Sequence, residues 1–241
     1  LERVGDTTEV RDLPAPGEGG ELDATGTIRL GEATTFDAAL AIRSFNPAAF
    51  GDYPSGSLSG SVDASGRLEP RDIELKWRLE RGLLYGHAFQ SEGAARLTGA
   101  RDTQADAEVR LGENRLTARG SYGRPDDQLA LTLDAPRLEQ FAPVGGSLQA
   151  RGTLAGSLDN PRAALSAEAQ DLALPGGVVL GKATAKLIGT LDAHDLALTA
   201  AAAPWGLDLA AELRGGWSSR RGWSGEIRSA RNAGAYPVEL A

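Results

Sequence analysis

From residue 21 onward, hydrophobic and polar positions alternate with a period of two. Leu22, Ala24, Gly26, Ile28 and Leu30 form one small or apolar row, and Phe36, Ala38, Leu40 and Ile42 form the next. The stretch "PSGSLSGSVDASGRLEP", residues 54–70, has the composition of a flexible linker. Its even positions, however, are Gly56, Leu58, Gly60, Val62, Ala64, Gly66 and Leu68, whereas every odd position from Ser57 to Glu69 is polar. A slack linker has no reason to alternate, but a strand does, because successive side chains point to opposite faces. The stretch reads as strand, with linker as the weaker reading. Similar rows follow at 73–79, 105–111, 129–133, 148–158, 172–174, 196–198 and 207–213. Between them stand turn formers such as "GRPDD", "DNP", "LPGG" and "LDAHD". Helical spacing never persists beyond about one turn; "NPAAFGDYP" and "PRLEQFAP" are the candidates for short helical turns. Residues 1–20, with two prolines and four glycines, read as a linker or a frayed first strand.

A longer period overlies the alternation. Gly56, Ser57, Leu58, Gly66 and Leu68 recur as Gly146, Ser147, Leu148, Gly156 and Leu158, and Leu97 and Gly99 recur as Leu187 and Gly189. Each pair is offset by 90, as in 146 − 56 or 189 − 99. Seven identities in the same order at one offset predict stacked supersecondary units over residues 21–241.

Composition narrows what these strands build. The chain has 241 residues, 31 of them glycine, only 5% aromatic, with no cysteine and no methionine. Such a composition does not fill a conventional core. A net charge of −8 with scattered basic residues argues against nucleic acid as a partner. No stretch approaches the roughly 18 apolar residues of a membrane helix; the richest, "LTAAAAPWGL", is broken by Pro204. A start at Leu1, with no leader-like segment, leads us to expect a piece of a longer chain.

Catalytic signatures are missing. His87 and His194 lack the close ligand spacing of a metal site and read as surface or strand-end histidines. No nucleophile elbow or phosphate loop occurs, and the pair Asp126 and Asp127 sits in turn-like sequence. Trp217, Arg220, Arg221 and Trp223 resemble a stacking platform, but more simply a hairpin tip with cation–π contacts. The expectation is a protein without catalytic residues, metal or cofactor.

With no helices to cover it, an apolar sheet face must fold over itself. Small inward residues favour an open trough over a filled sandwich. About sixteen strands spaced about 4.8 Å apart would make a trough on the order of 75 Å long. So long an apolar surface calls for a ligand, and a hydrocarbon chain fits it. The expected fold is therefore all-β, an elongated, curved sheet folded into a U-shaped trough with an apolar groove and few helical turns. The candidate groove-lining residues are Leu58, Val62, Leu68, Ile73, Leu75, Trp77, Leu79, Val109, Leu111, Leu129, Leu131, Leu133, Leu148, Leu154, Leu158, Leu196, Leu198, Leu207, Leu209 and Leu213.

"LTLDAPRLEQFAPVGGSLQARGTLAGSLDNPRAALSAEAQDLAL", residues 131–174, resembles the TamB-type translocation and assembly module family, within the AsmA-like, bridge-like lipid transfer group. Residues 42–75 follow the same course, and "LRGGWSSRRGWSGEIRSA" is similar to the Trp-x-Gly strand ends of that family. The resemblance implies a β-taco fold around a hydrophobic groove that shields phospholipid acyl chains between inner and outer membranes. It also implies a periplasmic location, an inner-membrane anchor and an outer-membrane β-barrel partner, both engaged by parts of the parent outside this chain. The main alternative is a scaffold that assembles outer-membrane proteins, autotransporters among them, by capturing their strands at an open sheet edge. A transmembrane β-barrel ranks lower because scarce aromatics deny it two girdles, and a β-solenoid would have shorter repeats.

Overall fold

The computed structural model describes all residues except 1, 5–6, 11–18, 100–101, 158–159, 219–221 and 241, with backbone alone for 2–4, 7–10 and 160. Among the described residues the chain is all-β, with seventeen strands and three short 3-10 turns. It divides into two compact units, residues 1–121 and 122–241.

Unit 1 contains β1 (Glu2–Val4), β2 (Thr7–Val10), β3 (Glu21–Arg29), β4 (Thr35–Phe45), β5 (Gly56–Arg67), β6 (Asp72–Leu84), β7 (His87–Thr98), β8 (Asp102–Leu111) and β9 (Asn114–Tyr122), which ends at the boundary. Strands β1 to β7 each pair antiparallel with the next, so the unit is a meander. The linker-like stretch is β5, paired to β4 and to β6 without interruption from Gly60 to Arg67 and with a register shift on each side before Gly60. Part of residues 1–20 is also strand, in β1 and β2.

Unit 2 repeats the plan with β10 (Gln128–Ala135), β11 (Gly145–Ser157), β12 (Asn160–Ala173), β13 (Val179–Thr190), β14 (His194–Ala202), β15 (Leu207–Ser218), β16 (Gly222–Asn232) and β17 (Val238–Leu240). Consecutive strands again pair antiparallel throughout.

Both sequence candidates for helical turns are 3-10 turns, at Pro47–Phe50 and Leu138–Gln140. The first is fixed by Asn46, whose Oδ1 accepts from the Ala48 N–H at 3.2 Å and the Gly56 N–H at 3.1 Å. That places a side-chain acceptor where the turn has unpaired donors and ties it to β5. Phe50 then stacks on Phe45 at the end of β4, with ring centroids 5.0 Å apart. The third turn, Ala203–Trp205, contains the proline that interrupts the alanine run. The 90-residue offset appears in the elements: β4, the turn at 47–50 and β5 correspond to β10, the turn at 138–140 and β11. The next three strands, β6 to β8, correspond to β12 to β14.

Burial shows how each sheet is used. Exposure alternates residue by residue along β6, β10 and β15, half-buried on the apolar side and exposed on the polar side. The buried hydrophobic residues are Ala135, Leu138, Ala169 and Ala202, and no large side chain is fully buried among the described residues. Among the described residues of each unit the strands form a single layer shaded by cross-strand neighbours, with no second layer of that unit packed on its apolar face.

The polar face is laced by charge. Arg96 grips Asp72 with both arms, Nε to Oδ1 at 2.9 Å and Nη2 to Oδ2 at 3.0 Å, while Arg67 approaches at 3.6 Å. The hydrogen bond from Arg96 holds the Asp72 carboxyl below the usual carboxylate range, against the opposing pull of desolvation. Glu108 is likewise lowered, by hydrogen bonds from Arg115 and Arg110. A depressed carboxylate stabilises the fold above its unfolded pKa of about 3.9, and this contribution is lost as pH falls through the folded value. Urea unfolding of Asp72→Asn is therefore expected to show a shallower loss of midpoint below about pH 4 than the parent chain. An identical acid limb in both would show that the clamp contributes nothing. The effect is modest, because both partners are solvated.

Candidate functional site

Register turns the alternation into continuous rows across each sheet. In unit 1, Leu40 of β4 faces Val62 of β5, Val62 faces Trp77 of β6, and Trp77 faces Gly93 of β7. The flanking rows run Ile42, Gly60, Leu79, Ser91, Val109 and Ala38, Ala64, Leu75, Ala95, Ala105. Ile73 pairs with Gly66 and Leu97, and Leu111 with Phe89. Leu58 faces Phe45 beyond irregularities in β4 and β5 and remains half-buried.

In unit 2, Leu131, Gly152, Leu165, Leu187, Leu196 and Leu213 form one cross-strand row over β10 to β15. Leu133, Ala150, Ala167, Ala185, Leu198 and Ala211 form the next. Leu129 pairs with Leu154, Leu148 with Ala135, Leu207 with Ala202 and Leu209 with Ala200. The site candidates named above thus share the apolar face of their own unit, each half-buried, with two exceptions. Leu68 lies past the end of β5, in a turn, and is 48% exposed. The alternation continues through it in sequence, but Arg67 is the last residue paired to β6. Leu158 lies outside the described residues.

Several residues of this face escape a sequence reading. Ser91 and Gly93 break the apolar row of β7 because they form the seat of Trp77. Its Nε1–H donates to Ser91 Oγ at 2.9 Å, and a Cβ on Gly93 would overlap the indole ring. Phe89 and Leu97 therefore continue a row that looks interrupted. Leu165 is hidden for another reason: β12 carries alanine on both faces, so its alternation has low contrast. The signal that finds both is pairing with an unambiguous neighbour, Trp77 in one case and Leu187 in the other.

Small residues make these rows shallow and similar to one another. Polar groups on the faces are bonded within the sheet: Trp77 to Ser91, and Trp223 Nε1–H to His194 Nε2 at 2.9 Å. Ser91 is 8% exposed and His194 8%, so neither offers a free polar handle to a ligand. His194 opens β14, the strand-end alternative of the sequence reading, and is buried and bonded there. Trp217 and Trp223 face each other across the β15–β16 hairpin, while Arg220 and Arg221 lie outside the described residues. Asp127 serves its turn by accepting from the Arg124 N–H at 3.0 Å. Among the described residues, no group of three His, Asp or Glu is placed to hold a metal ion, and no helix is long and apolar enough to cross a membrane. What the arrangement offers is a broad apolar surface of repeated rows.

Residues 7–176 match the family model described as TamB, N-terminal domain. No curated protein and no solved structure matches the chain.

Proposed function

Because the chain belongs to the TamB N-terminal-domain family, a family of the bacterial envelope, we propose that its apolar face is one stretch of a periplasmic lipid conduit. The conduit shields phospholipid acyl chains between the inner and outer membranes and supports assembly of the outer membrane. Its work is binding and passage, without bond-making chemistry. The parent protein, anchored in the inner membrane and joined to an outer-membrane β-barrel partner, supplies the two ends.

The observation that carries this reading is the uncovered apolar face: rows of half-buried Leu, Val, Ala and Gly with no large side chain fully buried among the described residues. Burying an acyl chain of about sixteen carbons gains roughly 0.8 kcal/mol per methylene, about 12 kcal/mol in all. Passage requires that gain to be nearly equal from row to row, since a deep polar site would hold the lipid. Repetition of similar rows in both units meets that requirement.

Native mass spectrometry of the chain, purified without detergent from a bacterial envelope, tests the reading. The expected result is a series of adducts with phospholipid masses. A bare chain that instead binds peptides of unfolded outer-membrane strands would favour strand capture.

A further inference from the structure

Two indoles lie flat on the apolar faces, and their hydrogen-bond acceptors differ in one chemical respect. Trp77 covers Gly93 and donates to the Ser91 hydroxyl. Trp223 covers Gly215 and Gly225, where an added Cβ would overlap its ring, and donates to His194 Nε2 at 2.9 Å. A serine oxygen accepts at any ordinary pH, whereas an imidazole nitrogen accepts only while it carries no proton. The other ring nitrogen of His194, Nδ1, lies 3.1 Å from the Thr190 carbonyl oxygen. A carbonyl can only accept, so Nδ1 carries the proton of the neutral ring and Nε2 is bare.

We infer that Trp223 and His194 form a proton-released clasp on the apolar face of unit 2. Neutral His194 pins the indole over its glycine seat. A second proton sets Nε2–H against the indole N–H, two donors with no acceptor between them, and the indole leaves the seat.

The charged groups around His194 do not compensate that proton across its own face. Its row partners are Gly189, Gly215 and Gly225, which have no side chains. Asp195, next on β14, alternates onto the polar face and pairs with Arg214 of β15 at 3.8 Å. Glu226 of β16 faces Arg214 in register and lies 3.5 Å from Arg228. Lys186 of β13 faces Ala197 on that same polar side, Glu212 of β15 faces Ala197 too, and Asp192 is exposed in the turn before β14. Release of Trp223 uncovers Gly215 and Gly225 and reshapes the apolar face there. That this alters acyl-chain occupancy rests on the function proposed above, whereas the clasp itself does not.

The test is the indole N–H signals of the ¹⁵N-labelled, lipid-free chain, assigned by single Trp→Phe replacements and followed from pH 8 to pH 5. Trp223 is expected to lose its bonded N–H shift and its protection from solvent exchange as the pH falls. The Trp77 signal stays put as internal reference. At pH 8 the imidazole nitrogen shifts should report the Nδ1–H tautomer. His194→Gln, whose amide oxygen accepts at every pH, should keep Trp223 bonded and abolish the response. A Trp223 signal as insensitive to pH as that of Trp77, or a neutral His194 protonated at Nε2, overturns the clasp. Should His194→Gln fail to fold, the wild-type titration decides alone. Phospholipid retention is then measured at both pH values. Absence of lipid at both would count against the acyl-chain reading and leave the clasp standing.

Discussion

Gly152→Ala is expected to lower the unfolding free energy by about 3 kcal/mol, while Gly181→Ala raises it by up to about 1 kcal/mol. Both glycines sit in strands of unit 2, at Gly145–Ser157 and Val179–Thr190. Their surroundings differ. A Cβ on Gly152 would overlap the carbonyl oxygen of Ala164, the Leu165 backbone and the Leu165 side chain. Backbone cannot swing aside as a side-chain tip can, so the strand pair must separate and its ladder must weaken. A Cβ on Gly181 would meet its nearest atom, the Ala201 carbonyl oxygen, only at 3.9 Å. There the substitution mainly removes conformational freedom from the unfolded chain. Paired urea titrations give both values. Equal effects at the two sites would mean that the close approach of β11 and β12 at Gly152 is not a structural requirement.

The glycine content of this chain thus has a specific meaning. In the middle of Leu131, Gly152, Leu165 and Leu187, glycine keeps the row shallow and lets a neighbouring leucine lean over the backbone. Under Trp77 and Trp223, glycine lets an indole lie flat. Composition alone reads these positions as slack.

The all-β character was legible because period-two alternation is a direct projection of the pleat. It survived even where β5 is mostly Gly, Ser and Ala, since the opposing residues are uniformly polar. Asn46 and Pro47 marked the turn at 47–50 through a side-chain acceptor and a fixed φ, whereas the turn at 138–140 has no side-chain cap and is marked only by the flanking Pro136 and Pro143. What depends on the partner strand was not legible. The register shifts between Ile42 and Phe45 and between Ser57 and Gly60 depend on two strands together, and neither sequence shows them alone. Leu68 was assigned to a row because alternation does not say where pairing stops. His194 and Trp223 stand 29 residues apart and meet only because β15 carries Gly215 between them. A long-range polar contact of this kind leaves no periodic trace.

Leu131→Arg tests the acyl-chain path. Leu131 is half-buried on the apolar side of β10, facing Gly152, in a row that reaches Leu213. A guanidinium there interrupts the surface along which a hydrocarbon chain slides, and seating an acyl chain beside the charge costs several kcal/mol. The long Arg stem can carry its head toward water, so the sheet retains its fold. The control must place the same charge on the other face of the same strand. Thr132 is unsuitable because it faces Arg151, and like charges directly opposite destabilise a sheet. Ala130, exposed and facing Thr153, is the better position. The decisive measurement is the arrival of newly made, labelled phospholipid at the outer membrane in cells whose parent protein carries either substitution at equal abundance. The account predicts that Leu131→Arg slows arrival strongly and Ala130→Arg leaves it unchanged. Equal arrival in the two strains would contradict the claim that lipid travels along this face.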